Sequence, residues 1–410
     1  MEEPLKLKNK FIFSSIRLAA LGYFVDIYDL ILFSIVRVKS LKDLGVPDQE
    51  LLSQGVVLLN MQMGGMLLGG ILWGILGDKR GRLSVLLGSI ALYSLANIAN
   101  GFVHSVDVYA VLRFIAGVGL AGELGAGITL VSEIMPKEIR AYGTMIVSVV
   151  GILGAVVAAL IGDLFDWRTA YFVGGALGIG LLLLRIKARE SGMFHQVKLT
   201  SVKRGSLLLI FKSWPNVLKY LRCILIGIPL WFVIGILVTF SPEFGKALQM
   251  PQQPQASKAV MFAYIGLSLG GLVSGSLSQI WGSRKKAVAI FMLLNALFMG
   301  LYLFFPAPSL EIFYLFCLGL GFASGYWAVF VTIAAEQFGT NIRSTVATTV
   351  PNFVRGSVVP LTLSFQSLKI SYGIINAGWI LALFCVLVAF WALVGLSETH
   401  GKDLDYTEAD

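Results

Sequence analysis

Long apolar stretches separated by short polar ones run along the whole chain. A helix that crosses a bilayer needs about 20 mostly apolar residues, and twelve stretches meet that length, near residues 14–37, 52–77, 84–102, 108–131, 142–163, 169–187, 218–240, 258–281, 287–305, 310–335, 345–367 and 373–396. The longest polar interruption separates the first six from the last six. The pattern therefore predicts an all-α membrane protein with twelve transmembrane helices in two six-helix bundles.

The predicted organisation has four parts. Residues 1–187 form an N-terminal six-helix bundle, and residues 218–396 form a C-terminal one. Residues 188–217 form a basic linker between the bundles, and residues 397–410 form a tail. Because the number of crossings is even, both chain termini lie on one side of the membrane.

Lysine and arginine residues indicate which side that is. If both termini are cytoplasmic, the cytoplasmic side receives 23 of the 32 basic residues and the outer side receives seven, among them Arg37 and Arg168. The remaining two, Arg113 and Arg355, lie within the spans. Cytoplasmic loops of membrane proteins carry an excess of Lys and Arg, so we predict cytoplasmic termini, linker and tail, and a multi-pass protein of the plasma (inner) membrane.

Composition excludes several classes of protein. Hydrophobic residues make up 57% of the chain and charged ones only 13%, against about 25% charged in soluble domains. This excludes a nucleic-acid-binding domain, a disordered protein and an ordinary cytosolic enzyme. The three cysteines lie in or at the edge of apolar runs and the three histidines are scattered, so neither a disulfide framework nor a metal site is expected.

One motif suggests a dinucleotide site. Gly117–Gly122 reads G-x-G-x-x-G, but it lies inside a predicted span with no preceding strand. Close packing of helices through small residues explains it better. The sequence also contains no phosphate-binding G-x-x-x-x-G-K-[ST] loop and no nucleophile–His–acid set, so we predict neither an enzyme nor ATP as the energy source.

The two halves of the chain resemble each other. Three features recur at nearly constant offsets: Gly74–Gly81 and Gly275–Gly282 at 201, the interval Glu133–Arg140 and the interval Glu336–Arg343 at 203, and Gly117–Gly119 and Gly319–Gly321 at 202. This agreement predicts a duplicated six-helix unit in parallel orientation. Secondary transporters that rock two halves around a central site are built in this way.

Several motifs resemble those of the major facilitator superfamily. Gly74–Arg82 (GILGDKRGR) is similar to its signature between helices 2 and 3, and Arg113 followed by Gly117, Gly119 and Gly122 resembles its helix 4. Asp166–Arg168, Glu190–Ser191 and Glu398–Lys402 resemble the sugar and metabolite–proton symporter branch. The resemblance implies a proton-coupled symporter that imports a small polar metabolite by alternating access. It would use the proton gradient and no cofactor, would work as a monomer in the lipid bilayer, and would have no nucleic-acid partner.

Charged residues within the spans are candidates for proton coupling, because charge at bilayer depth is costly and marks function. Asp26 and Asp29 are three residues apart on helix 1, hence on one face, and Asp29 and Arg113 lie at similar depth. The resemblance adds that symporters of this kind use such an Asp–Arg pair for proton coupling. Glu123, on helix 4, is a second proton site or a contact for a substrate amine or hydroxyl. The alternative for Asp29 and Arg113 is a static pair that fixes helix 1 against helix 4.

A substrate site is predicted near mid-depth in the second half. Arg355 on helix 11 is the central candidate, because a guanidinium group pairs bidentately with carboxylate or phosphate. Candidates for the same site are Asn352, Tyr326, Trp327 and Trp231. The alternative is that Arg355 and Glu123 pair with each other across the two halves, or with backbone groups. Arg355 favours an organic anion or zwitterion as the substrate.

Charged residues at the inner ends of helices are candidates for gating. In the first half they are Asp78, Arg82, Glu133 and Arg140, and in the second half Glu336 and Arg343. They would latch the cytoplasmic ends of helices together when the carrier faces outward. The alternative is that they are solvated loop charges that serve only orientation.

Two other functions remain open for the same sequence. One is an exporter or substrate exchanger of the same fold, and the other is a membrane receptor that transports nothing. Helix 7 lacks the glutamine-rich pattern of sugar carriers and helix 10 lacks their proline-containing motif, so a hexose is not indicated.

Overall fold

The computed structural model describes residues 2–125, 127, 140–186, 208–305 and 309–401. Regular secondary structure in these ranges is helical throughout. The described residues of the first half form six long helices: α1 Glu2–Asp43, α2 Leu51–Arg80, α3 Arg82–Asn100, α4 Val106–Leu120, α5 Arg140–Leu164 and α6 Trp167–Arg185.

The described residues of the second half form six more long helices, several of them interrupted. Helix α7 comprises Trp214–Leu225, Ile228–Phe232 and a π-helical turn, Val233–Val238; α8 is Ala256–Ile280 and α9 is Arg284–Phe304. Helix α10 comprises Leu310–Ala323, a 3₁₀ turn at Ser324–Tyr326 and Trp327–Glu336. Helix α11 begins with Thr340–Gly356 and continues into Val358–Val394, whose part beyond Gly373 is α12. Short helices at Leu208–Phe211 and Ser241–Ala247 flank α7.

Eleven helical stretches in the described residues are long and apolar enough to cross a membrane. The last of these, Thr345–Val394, has 50 residues, about 75 Å of helix and far more than the ~30 Å of a bilayer core. Gly373 breaks it with a φ of 78°, a conformation that only glycine adopts easily. The chain reverses there, so this stretch provides two crossings and the prediction of twelve helices is confirmed.

The two loops in which the halves were matched by sequence share a backbone feature. Gly81, between α2 and α3, has a φ of 99°, and Gly282, between α8 and α9, has a φ of 55°. Both positions require glycine for the same reason, since side chains clash in this region. We call the side of the membrane on which these loops lie the Gly81 side, and the opposite side, where α1 ends, the Arg37 side.

Glycine contacts show the duplication in three dimensions. Helices α2 and α4 cross with so little space that a Cβ atom on a glycine would meet a backbone oxygen of the partner helix, and α8 and α10 cross in the same way. The equivalent contacts are Gly65–Phe114 and Gly266–Leu318, Gly69–Val118 and Gly270–Phe322, and Gly117–Gln62 and Gly321–Ala263. Gly321 is thus the equivalent of Gly117, at an offset of 204. The sequence match of Gly117 with Gly319 at 202 was wrong by two positions, and the expectation of small-residue packing for Gly117 is confirmed.

The halves meet along two pairs of helices, α2 against α11 and α5 against α8. On the Arg37 side, Thr362 donates a hydrogen bond to Asn60 at 2.7 Å, and Ser257 donates to Asp163 at 3.3 Å. Nearer the centre, Asn352 Nδ2 donates to the carbonyl of Ala121 at 2.9 Å. Charged side chains enclosed by this interface form the site described next.

Candidate functional site

A buried aspartate and a buried arginine face each other between the halves. Asp26 of α1 is 0% exposed and Arg355 of α11 is 1% exposed. The distance from Asp26 Oδ2 to an Arg355 terminal nitrogen is 3.9 Å, too long for a hydrogen bond. Among the described residues, neither oxygen of Asp26 and none of the three nitrogens of Arg355 has a hydrogen-bond partner. Buried charges left in this condition are costly, and the pair keeps unused hydrogen-bonding capacity.

Aromatic side chains surround Arg355. Its guanidinium carbon lies 5.8 Å from the ring centre of Trp231 and 5.7 Å from that of Trp327, within cation–π range. The two indoles meet edge to face at 6.5 Å. Tyr23 of α1 lies within interaction range of both Arg355 and Trp327. The structure therefore brings Trp231 and Trp327 to Arg355, as the sequence predicts.

Asp29 and Arg113 lie near each other but are not joined. Asp29 is fully buried and lies within electrostatic range of Arg113, yet its oxygens have no hydrogen-bond partner in the described part of the chain. Arg113 instead donates to the side-chain carbonyl of Gln62 and lies over the rings of Phe33 and Tyr171, at 5.4 and 5.7 Å. The static pair between helices 1 and 4 is thus absent as a direct contact.

Glu123 does not face Arg355. It lies just beyond the end of α4 and is held by the fork of Arg185, at 2.9 Å from NH1 to Oε2 and 2.6 Å from NH2 to Oε1. Arg185 also donates to the carbonyl of Leu18 at 2.7 Å. The alternative pairing of Glu123 with Arg355 is therefore wrong. Arg185 is one of the 23 basic residues counted on the cytoplasmic side, although it lies inside the predicted sixth helix (169–187). That position within an apolar span is the signal from which its burial could be predicted.

Three carboxyl groups lie in a row alongside α1, two of them on this helix and the third on Glu123. Asp29 and Asp26 are one turn apart, about 4.5 Å along the axis. One further turn along lies Gly22, where a Cβ atom would come within 2.0 Å of Glu123 Oε1. Asp29, Asp26 and Glu123 therefore form a carboxylate row that descends from the middle of α1 towards the Gly81 side.

Two predicted substrate contacts are occupied by structural hydrogen bonds. The hydroxyl of Tyr326 donates to the carbonyl of Ile226 at 3.0 Å and so joins α10 to α7. Asn352 Nδ2 donates to Ala121 and to Thr348, both at 2.9 Å, which joins α11 to the first half. Its Oδ1 has no partner in the described residues. Asn352 thus lies beside the site, and Tyr326 supports the helix that carries Trp327.

The gating candidates of the second half form a cluster on the Gly81 side. Glu336 is gripped by Arg284, with Nε–Oε2 and NH2–Oε1 both at 2.7 Å, and Arg343 lies within electrostatic range of it. Arg284, at the start of α9, was not among the predicted gating residues. In the first half, the side chains of Asp78, Arg82 and Arg140 and the whole of Glu133 lie outside the described residues.

Glu398, from the tail motif, is fixed to the same cluster. Its carboxylate accepts hydrogen bonds from Ser283 Oγ and from the backbone N–H groups of Arg284 and Lys285. Burial alone would raise the pKa of Glu398, but these hydrogen bonds and that from the His400 N–H outweigh it and hold the pKa at about 2. The carboxylate thus stays ionised and caps α9 at any physiological pH.

On the Arg37 side, a second buried ion pair joins the halves. Arg37 of α1 is 0% exposed and contacts both oxygens of Glu243, each at 2.8 Å. It also donates to the carbonyl of Leu51 and lies 4.6 Å from the ring centre of Phe240. The sequence count had treated Arg37 as an outer loop charge. Without Arg37 and Arg185 the counts become 22 and six, so the predicted orientation does not depend on them.

A family model described as the Major Facilitator Superfamily matches residues 19–361 of the chain. The chain is 28% identical over 344 residues to the putative niacin/nicotinamide transporter NiaP of Bacillus subtilis (strain 168), covering 79% of this chain and 83% of that protein. It is 24% identical over 388 residues to the sialic acid transporter NanX of Escherichia coli (strain K12), covering 92% and 91%.

Among solved structures, the inward-open conformation of the xylose transporter XylE from E. coli matches with a TM-score of 0.74 at 18% identity. The match covers 96% of this chain and 98% of that chain. It confirms the predicted all-α fold of two six-helix bundles, and the family match confirms the resemblance read from the motifs.

Proposed function

The chain belongs to the major facilitator superfamily, and from this premise we propose that it is a proton-coupled symporter that takes up a small organic anion or zwitterion by alternating access. Membership in the family makes it a multi-pass integral membrane transporter of metabolites and not an enzyme. The proposed proton coupling and the proposed substrate class depend on the buried charges between its halves.

The observation that carries the proposal is the state of Arg355. Its guanidinium is buried, and in the described part of the chain its nitrogens have no hydrogen-bond partner. A carboxylate that binds there gains charge-assisted hydrogen bonds in a site of low dielectric. A neutral sugar would accept hydrogen bonds from the guanidinium without a carboxylate's charge assistance.

Relatives support an anionic substrate through the compounds in their names. The B. subtilis relative is described as a niacin/nicotinamide transporter and the E. coli relative as a sialic acid transporter. Niacin and sialic acid each carry one carboxylic acid group. An arginine at the centre of the molecule suits that shared chemistry.

The carboxylate row supplies the proton sites. Asp29 lies nearest the Arg37 side, Asp26 shares the centre with Arg355, and Glu123 leads to Arg185 on the Gly81 side. A buried carboxyl group that changes its charged neighbours between two conformations takes up and releases protons. Asp29 beside Arg113 is the first member of this route.

Alternating access requires the two ends of the molecule to open in turn. On the Arg37 side, opening must separate Arg37 from Glu243, because the two belong to opposite halves. On the Gly81 side we propose that Asp78, Arg82, Glu133 and Arg140 act together with the cluster of Glu336, Arg343 and Arg284. The Arg355 site lies between these two ends and is exposed to each in turn.

The test is transport into proteoliposomes under an imposed proton gradient. We expect the wild-type protein to accumulate a labelled monocarboxylate such as nicotinate. Asp29→Asn should abolish this accumulation while exchange of labelled for unlabelled substrate continues, because the variant loses the proton and keeps Arg355. Accumulation by Asp29→Asn at the wild-type level would remove this carboxylate from the mechanism, and efflux alone under every gradient would favour an exporter.

A further inference from the structure

We propose that Asp26 and the carboxylate of the substrate are alternative partners for Arg355, so that each monocarboxylate binds together with one proton on Asp26. This inference rests on the proposed function as an anion symporter. It identifies which carboxyl group exchanges its proton with the substrate, and it limits the substrate to a single negative charge near the arginine.

The geometry of the Asp26–Arg355 contact supports the exchange. Their closest atoms are 3.9 Å apart, so the ions attract each other without a hydrogen bond. Arg355 keeps three nitrogens, and Asp26 two oxygens, without partners in the described residues. A structural ion pair as deeply buried as Glu123–Arg185 has two hydrogen bonds, at 2.6 and 2.9 Å. The contrast between the two pairs distinguishes a fixed contact from one that is open to replacement.

Charge balance then determines what binds. With Asp26 ionised, the pair is neutral, and an entering carboxylate would put two negative charges against one positive charge in a site shielded from water. When the proton joins a carboxylate oxygen of Asp26, that group becomes a neutral acid and Arg355 is released to the substrate. The complex of Arg355⁺ and R–COO⁻ is again neutral. A dianion would keep one uncompensated charge and is excluded.

Other charged and titratable groups around Asp26 do not replace it in this exchange. Those within electrostatic range of it lie on α1, α3, α6, α8 and α11 and just beyond the end of α4: Tyr23, Asp29, Tyr93, Glu123, Arg185, Tyr264 and Arg355. Of the acidic groups in this set, Glu123 is hydrogen-bonded to Arg185, and Asp29 lies beside Arg113. Among the described residues, only Asp26 has a carboxylate oxygen within 4 Å of an Arg355 nitrogen, at 3.9 Å.

The surroundings of Arg355 also limit the rest of the substrate. Trp231 and Trp327 are 4% and 5% exposed and border the guanidinium. Trp231 Nε1 is a buried donor without a partner in the described residues. A flat or apolar body attached to the carboxylate would contact both indoles, and an acceptor atom on it would satisfy Trp231 Nε1. The substrate class is therefore a monocarboxylate with a compact, weakly polar body.

The experiment measures proton uptake on binding in detergent solution. Titration calorimetry between pH 5.5 and 8 in buffers of different ionisation enthalpy gives the number of protons bound with each ligand. The probes are nicotinate, benzoate, the neutral isostere nicotinamide and the dianion phthalate. For the wild type we expect each monocarboxylate to bind with one proton. The affinity should therefore fall by up to tenfold for each unit by which the pH rises. Nicotinamide should bind without a proton, and phthalate should not compete.

Variants separate the two carboxyl groups on α1. Asp26→Asn should bind the monocarboxylates with no proton uptake and with an affinity independent of pH, because its side chain stays neutral. Asp43→Asn is the control, because Asp43 lies at the far end of α1 in a half-exposed pair with Arg168, and it should keep the proton uptake. If Asp26→Asn does not fold, the double variant Asp26→Asn/Arg355→Gln removes both charges and should fold without binding the anions.

The outcomes distinguish this proposal from the one on which it rests. Anion binding and gradient-driven accumulation with no proton taken up on binding, or with uptake that survives in Asp26→Asn, would overturn the exchange at Arg355 and leave symport standing. A wild type that binds and accumulates none of the anions would overturn both.

Discussion

Glu123 and Arg185 illustrate what a single residue's position in the sequence conveys. An ionisable side chain inside an apolar run is conspicuous, and Asp26, Asp29, Arg113, Glu123 and Arg355 were all identified in that way. Which of these side chains pair with which could not be predicted from the sequence. Glu123, for example, pairs with Arg185, which is 62 positions away on α6. Which face of α6 turns towards α4 is decided by packing between helices.

This pair gives a stability prediction. Arg185→Gln leaves Glu123 buried with its charge uncompensated, which should lower the free energy of unfolding by about 3–5 kcal/mol. The double variant Arg185→Gln/Glu123→Gln should recover most of that loss. Lys42→Gln is the control, because Lys42 pairs with Asp48 and both side chains are exposed, so it should lose about 1 kcal/mol or less. Denaturant unfolding in detergent measures all three, and equal losses for Arg185 and Lys42 would contradict the buried-pair argument.

At the scale of the element, the interrupted helices differ most from the sequence prediction. Residues 218–240 and 310–335 read as continuous spans, but α7 is broken near Gly227 and ends in a π-helical turn, while α10 has a 3₁₀ turn in its middle. A hydrophobic pattern fixes the length and burial of a helix, but it does not report a change of hydrogen-bond register. Such changes often occur at functional sites, and here they lie on the helices that carry Trp231 and Trp327.

The end of α7 gives a prediction about conformation. The short helix after it carries Glu243, which holds Arg37 of the other half, and behind this contact Ser34 is bonded to Thr239 at 3.0 Å. Glu243→Gln weakens charge-assisted hydrogen bonds of about 1.5–3 kcal/mol and should favour the state open on the Arg37 side. A cysteine at Ser34, in a background without the three native cysteines, should then react with a thiol reagent roughly ten- to a hundredfold faster.

The matched control is Glu311→Gln, which removes an exposed carboxylate on the same side of the molecule. It should leave the reactivity of the Ser34 position unchanged. If Glu243→Gln also left it unchanged, the Arg37–Glu243 contact would have no part in opening that side.

At the scale of the whole molecule, the duplication explains why so much of the fold was predictable. Each half repeats the same helix order, the same left-handed glycine in its second loop and the same close crossing, so that each element is indicated twice along the sequence. The ion pairs between the halves do not repeat in this way. Asp26 meets Arg355 and Arg37 meets Glu243 over more than 200 positions of sequence, and neither pairing has an equivalent that the repeat would reveal.

Orientation in the membrane is the remaining property of the whole molecule that the charge asymmetry predicts. Asp48 lies exposed in the loop between α1 and α2 on the Arg37 side, and Trp281 lies exposed at the end of α8 on the Gly81 side. Because Lys and Arg concentrate on the Gly81 side, that side should be cytoplasmic. In intact cells, a membrane-impermeant maleimide should label Asp48→Cys in the cysteine-free background, and should label Trp281→Cys only after permeabilisation. The Arg37–Glu243 contact would then close the outer side. The reverse labelling pattern would place that contact on the cytoplasmic side. It would also reverse the direction in which protons move along the carboxylate row.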